Sequence, residues 1–140
     1  MTAKEYLSRP KALREEIQCD IDNLAAMRSI VEDCTTHLSY TAGCNPSRNK
    51  DTFENVMLDI AAEEERIEEK KRRLLQMQTE ILLAIRKMKN PQHQAVLRMR
   101  YVEDKKWTKI SEEMYLTVSR LMDVHREALR EFEKTALNST

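Results

Sequence analysis

The sequence predicts an all-α protein in which a long antiparallel helical hairpin, a coiled coil, is followed by a three-helix domain. Composition supports helix, because the 140 residues include 1 Gly, 3 Pro and 5% aromatic side chains, whereas 34% are charged. Two apolar repeats of seven residues predict the hairpin, and an apolar set near the C-terminus has the spacing of a helix-turn-helix. We expect domains at residues 1–89 and 90–140.

The first helix is predicted to start at a capping box formed by Thr2 and Glu5. It restarts or kinks at Pro10 and then runs to about Ser39. Apolar side chains recur at every seventh residue, at Ile17, Leu24, Val31 and Leu38. Others fill the intervening sites, at Leu13, Ile21, Met27 and Cys34. This pattern is typical of a coiled-coil seam.

A second long helix is predicted after a loop at residues 41–50, which holds Gly43, the only glycine. Asp51 and Glu54 have the spacing of another capping box, and the helix extends to about Lys89. Its seven-residue repeat consists of Phe53, Ile60, Ile67, Leu74, Ile81 and Met88. A strict repeat of this length keeps one seam facing a partner helix through a left-handed supercoil.

The short loop favours an antiparallel hairpin. Folding the chain back about it pairs Leu38 with Phe53, Val31 with Ile60, Leu24 with Ile67 and Ile17 with Leu74. The apolar surface around Leu75, Leu82 and Leu83 is wider than one partner helix covers, so either the C-terminal helices or a second subunit must cover it. We expect a homo-oligomer built through the hairpin, with a dimer as the commonest closed form.

A new helix is predicted at Asn90, which can cap it, with Pro91 in its first turn. This helix, PQHQAVLRMRYVED, buries Val96, Leu97 and either Tyr101 or Val102. We expect it to support the helix pair that follows.

The segment from Trp107 to Arg126 has the apolar spacing of a helix-turn-helix. Counted from Trp107, the fourth, eighth, tenth, fifteenth and eighteenth positions are apolar: Ile110, Met114, Leu116, Leu121 and Val124. The small fifth residue, Ser111, lets the helices approach. The ninth position, usually Gly because its φ is positive, is Tyr115, and Thr117 can cap the second helix. The alternative is a pair of amphipathic helices in an ordinary bundle.

If the second helix enters the major groove of DNA, its first turns present polar side chains to the base edges. Arg120 can donate two hydrogen bonds to guanine, and lysines beside the first helix can hold phosphates. The predicted DNA-binding residues are Lys106, Lys109, Thr117, Ser119, Arg120 and Arg126. The alternative is that these are ordinary surface charges, since Asp123 and Glu127 on the same helix would repel phosphate.

Charge and residue patterns exclude several other classes. A formal net charge of zero argues against strong autonomous binding of nucleic acid, so DNA binding should be weak, dimer-dependent or assisted by a partner. No catalytic constellation or Gly-rich phosphate loop occurs, and we expect neither an enzyme nor a cofactor. Cys34, His37 and Cys44 offer three ligands without a second pair, too few for zinc. The sequence shows no signal peptide or membrane span, and we expect a cytoplasmic protein with reduced thiols.

The block QAVLRMRYVEDKKWTKISEEMYLTVSRLMDVHREAL resembles region four of bacterial sigma factors. The matching residues are Val96, Leu97, Arg100, Tyr101, Trp107, Thr108, Ile110, Ser111, Glu113, Met114, Thr117, Val118, Leu121, His125, Ala128 and Leu129. With its opening MTAKEYL, the chain looks like the small sigma-region-four-like proteins encoded by phages and prophages of Gram-positive bacteria. The resemblance implies a regulator that binds double-stranded DNA. The alternative is a coiled-coil adaptor that binds RNA polymerase or another phage protein through a degenerate helix-turn-helix.

Overall fold

The computed structural model of the chain is all-α, as predicted. It describes the backbone of residues 1–40 and 46–137 and the side chains of residues 1–34 and 51–137, and no strand occurs among them. The α-helices are α1 (Ala3–Tyr40), α2 (Pro46–Arg86), α3 (Pro91–Leu97), α4 (Trp107–Met114) and α5 (Val118–Phe132). Two π-helical turns lie at Arg98–Val102 and Glu133–Leu137. None of the described helices combines the length and the apolar character that crossing a membrane requires.

The predicted capping box fixes the start of α1. The Thr2 backbone N–H donates to Glu5 Oε2 at 3.0 Å, and the Glu5 N–H donates to Thr2 Oγ1 at 3.2 Å. Pro10 lies inside α1 and has no N–H for the carbonyl of Tyr6. Arg9 Nε donates to that carbonyl at 3.1 Å instead. The helix therefore continues through Pro10 and does not restart there.

The second long helix begins earlier and ends earlier than predicted. It starts at Pro46, ahead of the predicted cap at Asp51, because proline is well suited to a first helical turn where its missing N–H would have no partner. Residues 46–50 of the predicted loop are thus helical, and residues 41–45 lie outside the described part. The side chains of His37, Leu38 and Cys44 also lie outside it.

The chain forms two compact units. The first unit contains Met1–Arg14 and Arg73–Thr140, and the second contains Glu15–Arg72. The division therefore falls within α1 and α2, whereas the sequence placed a boundary between residues 89 and 90. The reason lies in the core of the first unit, to which both ends of the chain contribute.

The second unit follows the predicted seam. Four seam residues are buried, with 4–7% of their surface exposed: Ile17, Leu24, Ile60 and Ile67. Lys70 Nζ lies 3.0 Å from Glu16 Oε1 and also bonds Asp20, and Arg28 pairs with Glu64. Later residues of α1 thus meet earlier residues of α2, which is the order expected of an antiparallel hairpin.

Other positions of the second unit depart from the pattern. The intervening seam residues Ile21 and Cys34 are exposed, because a single partner helix covers only one stripe of α1.

The ion pairs of this unit affect the titration of Lys70. Hydrogen bonds to Asp20 and then to Glu16 raise the pKa of Lys70. Opposite charges on α1 and α2 therefore form ion pairs along this unit.

The first unit has a core to which α1, α2, α3, α5 and a π-helical turn contribute. Its buried residues are Ala3, Leu7, Ile81, Ile85, Met88, Leu97, Tyr101, Ala128 and Phe132. Phe132 is fully buried, and its ring centroid lies 5.8 Å from that of Tyr6. This core holds the first turns of α1 against the C-terminal helices.

The third helix begins as predicted and ends sooner. The Asn90 side chain accepts a hydrogen bond from the Gln92 N–H at 2.9 Å, with Pro91 in the first turn. Instead of continuing to Asp104, α3 ends at Leu97 and widens into the π-helical turn. Asp104 then adopts a φ of 53°, which stops the helix.

A carboxylate of α5 secures the turn before α3. Glu131 Oε1 accepts hydrogen bonds from the backbone N–H groups of Lys89 at 2.8 Å and Asn90 at 3.3 Å, and Oε2 bonds His93 Nδ1. Burial acts to raise the pKa of Glu131, but these hydrogen bonds outweigh it and lower the pKa. The ionised carboxylate thus joins α5 to the turn.

Candidate functional site

Helices α4 and α5 pack around a small core of their own. Four residues there are fully buried: Val96, Ile110, Leu121 and Val124. Met114 and Leu116 are half-buried and pack against them. All five apolar positions of the predicted pattern therefore face one core, which α3 completes through Val96.

Trp107 fixes the first turn of α4 on α5. Its ring meets that of His125 edge to face at 4.6 Å, and the Arg100 guanidinium lies 4.7 Å from the indole centroid. His125 Nε2 and the Tyr101 hydroxyl are hydrogen-bonded at 2.8 Å. Burial, with the positive charges of Lys4 and Arg100, lowers the pKa of His125 to about 4. The imidazole is therefore neutral at neutral pH.

The turn between α4 and α5 has the geometry that glycine usually provides. Tyr115 adopts φ 56° and ψ 39°, the left-handed conformation. The Leu116 N–H donates to the Ser111 carbonyl at 3.1 Å, and the Tyr115 N–H donates to the Glu112 carbonyl at 3.4 Å. Together these bonds form a Schellman motif, and the Ser111 hydroxyl also bonds the Leu116 carbonyl. The turn thus keeps the geometry predicted for its ninth position although Tyr115 carries a ring that is 94% exposed.

Replacing Tyr115 with Gly should raise the free energy of unfolding by about 1 kcal/mol, because glycine adopts positive φ without a steric penalty. Urea unfolding followed by circular dichroism measures the change. Tyr115→Ala is the control, since alanine removes the ring and keeps Cβ, and it should give no comparable gain. A clear loss of stability in the glycine variant would show that ring contacts outweigh the backbone penalty.

The six residues predicted to bind DNA are all exposed: Lys106, Lys109, Thr117, Ser119, Arg120 and Arg126. Thr117 caps α5, since its Oγ1 accepts a hydrogen bond from the Arg120 N–H at 3.2 Å. Its hydroxyl proton stays available to an acceptor. Sequence and structure therefore both place these groups on the surface at the start of α4 and along α5.

Three cations on this surface are unpaired. Lys106, Lys109 and Arg120 form no ion pair with any residue that the structure describes. Arg126 differs, since its Nη2 lies 3.2 Å from Asp123 Oδ1. Cationic side chains without an ion-pair partner among the described residues thus lie at the start of α4 and of α5, and Asp123 offsets the charge of Arg126.

Two neighbouring acidic groups, Glu113 and Glu127, have partners of their own. Glu113 accepts a hydrogen bond from Lys105 Nζ at 2.8 Å, and this bond lowers the pKa of its carboxyl group. Glu127 Oε2 lies 3.7 Å from His93 Nε2 on α3. The charge of Lys109 also acts to lower the pKa of Glu113, so this carboxylate partly offsets the charge of Lys109.

Val118 was not among the predicted residues. It is the first residue of α5, follows the Thr117 cap, and is 45% exposed. This apolar side chain faces solvent beside Thr117 and does not belong to the core of the helix pair. The signal in the sequence is an apolar residue directly after a capping threonine, outside the core spacing.

Metal chemistry finds little support in the side chains that the structure describes. No three His, Cys, Asp or Glu residues among them are grouped so as to hold a metal ion. Cys19 and Cys34 are free and exposed. Cys34 is therefore not part of a metal-binding group among the described side chains. The side chains of His37 and Cys44, the other two residues considered for zinc, lie outside the described part.

The features above define an all-α protein in which a helix pair packs around a small core and exposes three cations without an ion-pair partner among the described residues. The chain belongs to the family described as Protein of unknown function (DUF1492), whose family model matches residues 41–133. The match extends through α2, α3, α4 and α5. Among curated proteins and solved structures, none matches the chain.

Proposed function

We propose that the protein is a DNA-binding transcriptional regulator of phage or prophage genes in which α4, the turn and α5 form a sigma-region-four-like helix-turn-helix. The observation that carries the proposal is the turn at Tyr115. Its left-handed geometry joins two short helices whose shared core has the spacing of that motif. A left-handed C-cap alone is common at helix ends, so the proposal rests on its coincidence with the core spacing of the motif.

The exposed start of α5 supports a role in base recognition. Arg120 has an unpaired guanidinium that can donate two hydrogen bonds to guanine O6 and N7. Thr117 and Ser119 can reach a base edge or a phosphate, and Val118 can contact a thymine methyl group. Lys106 and Lys109 are placed to hold the backbone beside α4.

Three unpaired cations support only modest affinity, because each neutralised phosphate adds a small increment. The zero net charge of the chain points the same way. A second DNA-reading end in a dimer, or contact with RNA polymerase, would supply the rest of the binding affinity. The proposal therefore includes an oligomer or an assisting partner.

Exposed apolar side chains favour the second candidate, an adaptor that binds RNA polymerase or another phage protein. Tyr115 is 94% exposed and Val118 45% exposed, close together in sequence at the turn and the start of α5. Aromatic residues are enriched at protein interfaces. In this alternative the helix pair is kept as a scaffold for protein contacts.

Fluorescence anisotropy with labelled genomic fragments of the phage or host separates the two candidates. We expect binding at low salt that weakens as salt rises, with a slope of about −0.9 per phosphate contact. The control is a fragment of unrelated sequence, which should bind more weakly. If no fragment binds at low salt and purified RNA polymerase retains the protein, the adaptor function replaces DNA binding.

We also propose that the protein is a homodimer, because the C-terminal helices leave part of α2 uncovered. Leu75 is 67% exposed and Leu83 is 52% exposed, whereas Leu82 is half-buried. Sedimentation at micromolar concentration should show a dimer, and Leu75→Gln with Leu83→Gln should shift it towards monomer. The control is Tyr115→Gln, which removes an exposed apolar side chain from the turn between α4 and α5 and leaves the exposed leucines of α2 in place. A wild-type monomer would contradict the proposal.

A further inference from the structure

A cleft of about 360 Å³ in the first unit is lined mainly by basic and aromatic groups. One wall is α1, which contributes Lys4, Lys11 and Arg14. The opposite side contains Arg100 of the π-helical turn and Trp107 of α4. Four cationic side chains thus face one space in a chain whose formal charge is zero.

These charges are only partly neutralised. Asp104 is the one acidic residue that lines the cleft, and its Oδ2 lies 3.9 Å from Arg14 Nη2. Lys4 and Lys11 are exposed and form no ion pair with a described residue. Arg100 is held in place, since its Nη1 donates to the Lys105 carbonyl at 3.0 Å. Three cations remain without a carboxylate partner.

An aromatic wall lies beside these cations. His125, Tyr101 and Trp107 line the cleft there. The charges of Lys4 on α1 and Arg100 on the π-helical turn contribute, after burial, to lowering the pKa of His125 to about 4. His125 therefore stays neutral beside these cations, and a bound anion would favour its protonation.

We propose that this cleft binds a phosphoryl group through Lys4, Lys11 and Arg100. A compact, multiply charged anion suits the arrangement, because two mobile ammonium groups and one fixed guanidinium converge on a partly enclosed space. The phosphoryl group belongs either to a small phosphorylated molecule or to the backbone of DNA. The site uses α1 and lies apart from the residues predicted to read bases, so it does not rest on the proposed function.

Pyrophosphate is the probe for the first experiment. Trp107 is the only tryptophan in the chain, so its fluorescence reports on the cleft alone. We expect a saturable fluorescence change and, by NMR, a rise in the pKa of His125. Lys4→Gln with Lys11→Gln should weaken binding about tenfold. Lys87→Gln with Lys134→Gln, two exposed lysines outside the cleft, makes the same change in net charge and should leave binding unaltered.

Two results would overturn the proposal. One is the absence of any saturable change with pyrophosphate at low salt. The other is equal weakening by the cleft pair and the control pair, which would show only nonspecific attraction. Thermal melts of both double variants verify that each is folded.

A short DNA duplex distinguishes the two sources of the phosphoryl group. If pyrophosphate competes with the duplex and the cleft variant weakens both, the cleft contacts the DNA backbone. If only pyrophosphate binding depends on Lys4 and Lys11, the ligand is a small phosphorylated molecule. Arg120→Ala should leave pyrophosphate affinity unchanged, so failure of base recognition and failure of the cleft proposal are separable.

Discussion

Replacing Phe132 with Ala should lower the free energy of unfolding by about 3–5 kcal/mol. The Phe132 side chain is fully buried and packs with Leu7 of α1, Ile85 of α2 and Ala128 of α5. Its removal leaves a cavity at the place where the two ends of the chain share a core. The rest of the structure can fill that cavity only partly, so the loss exceeds the transfer free energy of the ring.

The matched control is Phe53→Ala, because Phe53 is the only other phenylalanine and is 37% exposed in the second unit. We expect this variant to lose about 1 kcal/mol or less. Guanidinium unfolding followed by circular dichroism measures both. Equal losses in the two variants would mean that Phe132 is not a central residue of the core.

The helices could be predicted because their causes are local. The capping box of Thr2 and Glu5, the Asn90 cap and the apolar spacing around Ile110 are each contained within a few residues of sequence. The predicted seam residues Ile60 and Ile67 are buried for the same reason, since a repeat of seven residues aligns them on one helix face. Local chemistry was sufficient for these elements.

The division into units could not be predicted because it depends on contacts between distant segments. Leu7 and Phe132 share a core although they lie near opposite ends of the chain. A single sequence shows that both are apolar and does not show that they meet. The change from α-helix to π-helix after Leu97 was missed too, since neither proline nor glycine marks it.

The candidate site was likewise predictable only where its features depend on residues close together in sequence. The exposure of Lys109 and Arg120 follows from their positions off the core face. The pairing of Arg126 with Asp123 was available in principle from their spacing along α5. The cleft was not predictable, because Lys4 and Arg100 come together only when α1 packs on the C-terminal helices.

Arg120→Ala should cost about 1–3 kcal/mol of binding free energy on the preferred DNA site and should relax the preference at one base pair. The guanidinium is exposed, unpaired within the described residues and located in the first turn of α5. Truncation of the side chain would remove the proposed bidentate contact to guanine completely. Competition between preferred and altered sites measures both the loss and the change in preference.

Lys109→Ala is the matched comparison, because it removes an exposed, unpaired cation from α4 with the same change in net charge. We expect it to weaken all DNA sequences alike and to reduce the salt slope by about one phosphate contact, since a lysine at the backbone carries no sequence information. Anisotropy titrations at several salt concentrations give the salt dependence of DNA binding for each of the two variants. If the two variants behave identically, Arg120 contacts phosphate and the start of α5 does not read bases. If neither changes binding, the surface formed by α4 and α5 is not the DNA contact.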